Sequence, residues 1–440
     1  MYLKRRLNFD LEDWRERSSR KPLILLGARQ VGKTSALKSF AKDSYRNIAY
    51  LNFEERPLAR DLFRTSLAPR DIVQAVSLEL RTKIEPGQTL IVFDEVQEAP
   101  EALTSLKYFC EDAPEYHVAA AGSLLGVKVK QGIGFPVGKV DFIGVHPLSF
   151  SEFLDAMNET SLSTMLRTKD NWDRLPDSLH ERLLNYLRIY MLTGGMPEVV
   201  AVYSTTQDWE TVRRVQLAII RAYELDMAKH APGPLIPKLY QVWQSILPQL
   251  SRENRKFKYS DVAAGARARS HEDAMQWLVD AGLLLKCCNL ETVKLPLASY
   301  ASHDHFKVYL LDCGLLAAMA HLDPTSFLQG DRLLSEFRGA FTENFVAQEL
   351  LGKQNQPLYY WASGNRAEVD FVVDHAGLIY PLEVKAGIQL QSKSLGVFLK
   401  KFGMTIACRA SGGVFAKNPP FHDYPLYGLS AFPGLSRRHP

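Results

Sequence analysis

Cysteine is scarce in this 440-residue chain: there are five, Cys110, Cys287, Cys288, Cys313 and Cys408. None forms a C-x-x-C pair or stands at a zinc-like spacing from histidine, which argues against a disulfide framework and against a structural zinc site. An odd count without a framework fits a reducing compartment. Long apolar runs are lacking as well. No stretch approaches the ~18 uninterrupted apolar residues of a membrane-spanning helix. The basic opening MYLKRRLNFDLEDW is not followed by the apolar core of a secretory signal. Nor is there a large charge of one sign. At a formal net charge of +4, bulk charge does not argue for nucleic acid, and any such case rests on local patches. These absences predict a cytoplasmic protein with no membrane partner. With 46% apolar and 23% charged residues, the chain is ordinary globular material, long enough for two to four domains.

What is present is concentrated in a few short stretches. KPLILLGARQVGKTSALKSFAK reads as a buried strand (Leu23–Leu26), a tight loop and a helix from about Lys33. The loop fits G-x-x-x-x-G-K-[ST], which needs glycines so that backbone N–H groups can curl around phosphates at the positive end of a helix. Gly27, Ala28, Arg29, Gln30, Val31, Gly32, Lys33, Thr34 and Ser35 are the candidate nucleotide-binding residues. Lys33 would reach the β- and γ-phosphates, and the Thr34 hydroxyl would bind Mg²⁺.

TLIVFDEVQEAP then runs four apolar residues, Leu90–Phe93, into Asp94 and Glu95. A continuous apolar run predicts a parallel strand buried on both faces. At its carboxyl end Asp94 would hold Mg²⁺ through the ion's water shell and Glu95 would polarise the attacking water. YHVAAAGSLLG predicts a further strand ending at Ser123, which reads either as a polar sensor of the γ-phosphate or as an ordinary turn residue.

Nine strings follow one another along the chain: GARQVGKT, FDEVQ, AGSLLG, VGKVDFIGVHPLSFSEFL, LTGGMPEVV, VYLLDCGLLA, FTENFVAQEL, YYWASGNRAEVDFVV and PLEVKAG. In this order they resemble the prokaryotic AAA+ superfamily ATPases that carry a C-terminal domain of unknown function. The resemblance covers essentially the whole chain. It implies an α/β fold class: a P-loop AAA+ parallel-sheet core over 1–150, a helical lid over 151–235 and a winged-helix-like segment over 236–290. A PD-(D/E)XK restriction-nuclease-like α/β domain over 291–440 completes it. It also implies ATP and Mg²⁺ as cofactors, ATP hydrolysis as the activity and DNA as a candidate partner. One departure stands out. The family usually has Gly-Arg where this chain has Gly138-Lys139, a place where AAA+ proteins often put an arginine finger. Lysine keeps the charge but loses the planar fork, so Lys139 reads either as a weakened finger or as a plain loop lysine. No oligomeric state follows.

The middle of the chain is predicted to be helical from PLSFSEFLDAMNE to about His230, broken at Gly194, Gly195 and Pro197. Arg221 is either a lid arginine for the γ-phosphate or a solvated helix residue. Three helices from PKLYQVWQSILPQL, YSDVAAGA and SHEDAMQWLVDAG, then a strand, give a winged-helix layout. Ser270 is the expected N-cap of the third helix, with Asp273 in the capping-box position and Gly282 as the stop. Arg252, Arg255, Lys256, Lys258, Arg267 and Arg269 precede that helix, whereas His271, Glu272 and Asp273 stand on it. An acidic reading face favours backbone contact or protein docking over base readout.

Near the end, EVDFVVDHAGLIYPLEVKAG predicts two strands joined around Gly377. Pairing Val373 with Leu378 sets Asp370 opposite Pro381, with Glu383 and Lys385 on the same face. Two carboxylates and a lysine so arranged can hold a metal ion and activate water. Asp370 and Glu383 are the candidate metal ligands and Lys385 the candidate catalytic lysine. The resemblance implies a fourth member on the helix EFRGAFTENFVAQELL. There Glu343 shares an apolar stripe, while Arg338, Thr342 and Glu349 are expected to face solvent. These groups can equally pair with neighbours or cap turns. Trp361 with Arg366 reads as a nucleic-acid contact or, for Tyr359 and Trp361, as core. Two whole-chain readings stay open: an ATPase coupled to nucleic-acid processing, or a slowly hydrolysing nucleotide switch with an inactive nuclease fold.

Overall fold

The computed structural model describes residues 3, 5–123, 136–168, 172, 175–252, 255–329, 335–354, 356–364, 367–387 and 392–433. The chain divides into two compact units, residues 1–146 with 280–282, and residues 147–279 with 283–440. Among the described residues, no helix is long and apolar enough to cross a membrane.

In the first unit α1 (Leu7–Glu16) precedes β1 (Leu23–Gly27), α2 (Lys33–Ser44) and β2 (Asn47–Asn52). Then come α3 (Asp61–Thr65), α4 (Pro69–Leu80), β3 (Thr89–Asp94), α5 (Pro100–Asp112), β4 (His117–Ser123) and β5 (Asp141–Gly144). The strands form one parallel sheet in the order β2-β3-β4-β1-β5. Every residue of β3 is buried, as its uninterrupted apolar run requires of a strand covered on both faces. Phe53, Phe63 and Phe93 pack edge-on or tilted at 5.1–6.0 Å and seal one face. In such a sheet ligands bind at the carboxyl ends of the strands, where Gly27, Asp94 and Ser123 lie.

The second unit opens with helices α6 (Phe150–Ala156), α7 (Thr160–Thr168), α8 (Asp177–Thr193), α9 (Pro197–Thr206), α10 (Trp209–His230), α11 (Ile236–Leu250) and α12 (Ala268–Asp280). Ser149 and Glu152 form a capping box on α6, so the PLSFSEF string is a helix start. Then follow β6 (Leu284–Leu290), β7 (Ala301–Leu310), α13 (Cys313–Met319), α14 (Pro324–Gln329), α15 (Ser335–Gln354), β8 (Leu358–Ala362) and β9 (Glu368–Val369). The last are β10 (Phe371–His375), β11 (Leu378–Val384), α16 (Lys393–Phe402), β12 (Ala407–Ser411), β13 (Ala416–Asn418) and β14 (Phe421–Pro425). Two mixed sheets result, β7-β6-β8-β9 and β10-β11-β12-β14-β13. The first runs across the 290/291 division, because β6 pairs antiparallel with β7 and parallel with β8.

Several local expectations are corrected here. The middle helix of the winged-helix layout is only a 3₁₀ turn, Tyr259–Asp261. Helix α12 starts at Ala268, and the Ser270 hydroxyl donates to Arg267 O (2.8 Å) from inside it, so Ser270 is not the N-cap. His271 is buried against Gln241 (2.9 Å), leaving Glu272 and Asp273 exposed. The hairpin register is displaced by two residues: Val373 pairs with Tyr380 and His375 with Leu378. The reason is the turn. Ala376 and Gly377 both have positive φ (50° and 78°), which makes a two-residue primed turn and lengthens both strands. A shift of two preserves the faces, and continuing the register one step sets Asp370 level with Glu383. Finally, α15 does not expose Thr342 and Glu349. Both are buried, together with Glu343, Asn344 and Gln348.

Three of those polar groups on α15 accept from backbone N–H groups of other elements. Glu349 accepts from Phe150 N–H (2.7 Å), Asn344 accepts from Leu310 N–H (2.7 Å) and Gln348 accepts from Cys313 N–H (2.9 Å). Asp312 accepts from Gly195 N–H (2.6 Å) at the Gly194-Gly195 turn. The strings LTGGMPEVV, VYLLDCGLLA and FTENFVAQEL are therefore tied into one buried polar network. Trp361 is 1% exposed and packs edge-on against Phe398 and Phe402. It is a core residue rather than a nucleic-acid contact, and Arg366 lies outside the described residues.

Candidate nucleotide site and a lysine–carboxylate cluster

The loop between β1 and α2 is shaped by close packing. A Cβ on Gly27 would lie 2.3 Å from Val145 O, so only glycine fits beside β5. Gln30 (φ 63°) and Gly32 (φ 92°) take left-handed conformations that curl the loop back to α2. Arg5 is buried and donates through Nη1 to Val31 O (2.5 Å), bracing the loop from the amino-terminal side. Lys33 is buried with Nζ 2.9 Å from Gly27 O and 2.8 Å from Ala28 O. Burial lowers its pKa to about 8, and the carboxylates of Glu95 and Asp94 pull the other way. A desolvated ammonium inside a loop of backbone donors is the donor set that suits a polyphosphate.

Asp94 is fixed at both oxygens. Its Oδ2 accepts from Thr34 Oγ1 (2.7 Å) and from Tyr50 Oη (2.6 Å), while Oδ1 accepts from Glu95 N–H (3.0 Å). Thr34 and Asp94 thus stand together, as the two residues expected at Mg²⁺ must. Glu95 has a left-handed backbone (φ 51°, ψ 44°), and Gln97 Nε2 donates to its Oε2 at 2.5 Å. Ser123 ends β4 in register with Gly27, and its side chain lies outside the described residues. Arg29 is half-buried and Ser35 exposed on the first turn of α2. Lys139 forms an ion pair with Glu111 (2.9 Å), and Arg221 pairs with Glu224 on its own helix (3.2 Å). Sequence reasoning missed Arg5, Tyr50 and Gln97. The last of these stands in the FDEVQ string, two residues after Glu95.

The second cluster is in the other unit and centres on a residue the sequence did not single out. Lys307, on β7, is 1% exposed. Its Nζ lies 2.5 Å from Glu368 Oε1, 3.4 Å from Glu343 Oε2 and 3.7 Å from Asp370 Oδ1. Glu343 also accepts from Tyr309 Oη (3.0 Å) and from Arg255 Nη1, and Asp370 Oδ2 accepts from Val384 N–H (2.8 Å). Arg255 lies along Gly339, where a Cβ would come within 2.6 Å of its Nη2. Burial favours a neutral Lys307, but Glu343, Asp370 and Glu368 outweigh it and raise the pKa. Against burial, Lys307 and Arg255 hold Glu343 below the usual carboxylate range. Asp370 is pushed up to about 7 by burial and by Glu343 beside it.

Glu383 is buried and pairs with the part-exposed Lys385 (2.5 Å), and its Oε2 has no hydrogen-bond partner. Of the four expected nuclease positions, Glu343 and Asp370 are joined through Lys307, while Glu383 and Lys385 pair with one another. Among the described residues, no group of three or more His, Cys, Asp or Glu is arranged to hold a metal ion.

Residues 19–154 match the family model of an AAA domain (AAA_14). Residues 184–326 match a domain of unknown function (DUF8612), and residues 338–416 match another (DUF4143). No curated protein matches the chain. Among solved structures the chain is similar to a Walker-type ATPase of Pyrococcus abyssi, at 14% identity and a TM-score of 0.46, over 72% of this chain and 96% of that one. It is similar to Orc1 of Aeropyrum pernix, solved in complex with DNA, at 12% identity and a TM-score of 0.28, over 72% and 90%. For Cdc6p of Pyrobaculum aerophilum the identity is 14% and the TM-score 0.24, over 73% and 92%. At these TM-scores none of the three decides a question of mechanism. Residues 19–154 carry an AAA domain, built on the parallel sheet and loop described above.

Proposed function

We propose that the chain binds ATP with Mg²⁺ at the loop of residues 27–35 and hydrolyses it. In this reading the nucleotide state controls a helical and C-terminal unit that binds nucleic acid or protein. The supporting observation is the single Asp94 oxygen shared by Thr34 and Tyr50 beside the buried Lys33. Mg²⁺, when bound, would neutralise phosphate charge. Thr34 and Asp94 would hold it, Lys33 and the loop amides would bind the β- and γ-phosphates, and Glu95 would orient and deprotonate the attacking water. Ser123 is proposed as a polar contact to the γ-phosphate. The division into core (1–150), lid (151–235), winged-helix-like segment (236–290) and nuclease-like domain (291–440) belongs to the same reading. Calorimetry with Mg·ATP tests it: Lys33→Ala abolishes binding, while Glu95→Gln binds without turnover. ATP affinity unchanged in Lys33→Ala refutes the assignment.

A second reading gives the C-terminal unit Mg²⁺-dependent nuclease activity through Asp370, Glu383 and Lys385. What favours it is the buried Glu383 Oε2 without a partner, an oxygen suited to a cation. Release of acid-soluble nucleotides from plasmid and single-stranded DNA in Mg²⁺ or Mn²⁺ tests it, with Lys385→Ala as the comparison. No release by the wild type, with ATP turnover intact, leaves the switch.

A further inference from the structure

The residues around Glu343 and Asp370 do not fit a divalent ion as they stand, because an ammonium group already lies among them. Three carboxylates (Glu343, Glu368 and Asp370) face one ammonium, and one of them also meets a guanidinium. The Tyr309 hydroxyl donates to Glu343, and the Tyr360 ring lies 5.2 Å from Nζ. Magnesium requires near-octahedral oxygen ligands at ~2.0–2.1 Å and keeps several of its waters. It cannot share this position with Lys307.

We propose that Lys307 is the resident cation of this site: its ammonium takes the place of a metal ion among Glu343, Glu368 and Asp370, which are spaced for the ammonium and close on a divalent cation only when Lys307 is removed. Charge supports the exchange. With all three carboxylates ionised, as above the pKa of Asp370, the cluster with Lys307 and Arg255 carries one excess negative charge. Without Lys307 it carries two, which a divalent ion matches. Access supports it as well, because the Glu368 side chain is 37% exposed and opens one side of the cluster. The lysine also joins segments far apart in sequence: β7, α15, β9 and the bend at Asp370 meet on one atom. A metal-free fold can be tied together this way, since a hydrogen-bonded buried ion pair is costly to break from either side. The inference does not depend on ATP binding in the first unit.

Mn²⁺ binding to the full chain, followed by electron paramagnetic resonance, tests it with wild type, Glu343→Gln, Lys307→Gln and the Lys307→Gln, Glu343→Gln double variant. The wild type serves as the baseline for any Mn²⁺ held at the phosphate loop. Lys307→Gln is expected to gain one site at least about tenfold tighter than that baseline, and to lose it again in the double variant. The same Mn²⁺ concentrations are expected to raise the unfolding midpoint of Lys307→Gln and not that of the wild type. A wild-type Mn²⁺ site that Glu343→Gln removes, or a folded Lys307→Gln that gains none, overturns the proposal. If Lys307→Gln fails to fold, Lys307→Gln with Glu368→Gln restores the original charge balance. Folding of that pair supports the proposal and its failure to fold counts against it.

Discussion

Tyr50 Oη lies 2.6 Å from Asp94 Oδ2, the oxygen that Thr34 Oγ1 approaches at 2.7 Å from the opposite element. Parallel pairing of β2 with β3 brings the tyrosine there, and Asn52 Nδ2 supports its hydroxyl (3.3 Å). Burial and the neighbouring Asp94 raise the phenol pKa, so the hydroxyl stays a donor across the working pH range. Tyr50→Phe keeps the ring and deletes the donor. One hydrogen bond to a charged group is worth about 1.5–3 kcal/mol. Turnover at limiting Mg²⁺ is therefore expected to fall by about tenfold to a hundredfold, with less loss at saturating Mg²⁺. An Mg²⁺ dependence identical to wild type would show that Tyr50 only packs.

Gln97 acts one step further along. Its amide holds Glu95 Oε2 at 2.5 Å, and the left-handed backbone at Glu95 aims the side chain. Misplacing a water-positioning group slows chemistry without weakening ground-state binding. Gln97→Ala is thus expected to lower kcat by about tenfold or more at unchanged ATP affinity. Gln97→Glu, which sets like charges together, is expected to be worse. Loss of affinity in parallel with kcat would point to a collapsed loop instead.

These two residues also mark what the sequence can and cannot convey. The phosphate loop and the acidic strand end were legible because each is local: glycine spacing, a buried strand and a helix start lie within one short segment. Tyr50 meets Asp94 only through strand order, which no local pattern encodes. Lys307 carried a faint signal, as the one charge inside the apolar run Phe306–Leu311, on a strand whose residues Phe306–Leu310 are all buried. Periodicity misled on α15. Thr342 and Glu349 looked solvent-facing because a polar residue on a helix usually is. Here Glu349 instead satisfies the backbone N–H of Phe150, nearly two hundred residues away.

The Gly194-Gly195 turn is closely packed on both sides. A Cβ on Gly195 would lie 2.0 Å from Leu148 O and 2.8 Å from Leu148 N. Both obstacles are backbone, and Leu148 N–H already donates to Gly195 O at 2.7 Å. Relief requires separating that pair and the Asp312 bond to Gly195 N–H. Gly195→Ala is expected to destabilise this unit by about 3 kcal/mol or more, in the range of the severe backbone and network mechanisms. Proteolysis of residues 147–440 in the full chain would report it. A variant as resistant as wild type would mean that the turn can open without cost.

Asp312 offers a test by pH. It is fully buried and accepts from Gly195 N–H (2.6 Å), Leu315 N–H (2.9 Å) and Gln348 Nε2 (3.3 Å). Burial raises its pKa from 3.8 to about 6, more than these hydrogen bonds lower it. A carboxyl whose pKa is higher folded than unfolded contributes its full stability below the unfolded value. That contribution is lost as pH rises through the folded one. A gap of roughly two pH units corresponds to about 3 kcal/mol. Asp312→Asn has no such titration and carries a constant penalty, because one of its two side-chain acceptors becomes a donor. In urea unfolding, the advantage of wild type over Asp312→Asn is therefore expected to be largest near pH 4 and to shrink by about 3 kcal/mol by pH 7. An advantage that instead widens with pH would mean that the N–H donors stabilise the ionised carboxylate, reversing the sign assigned to its burial.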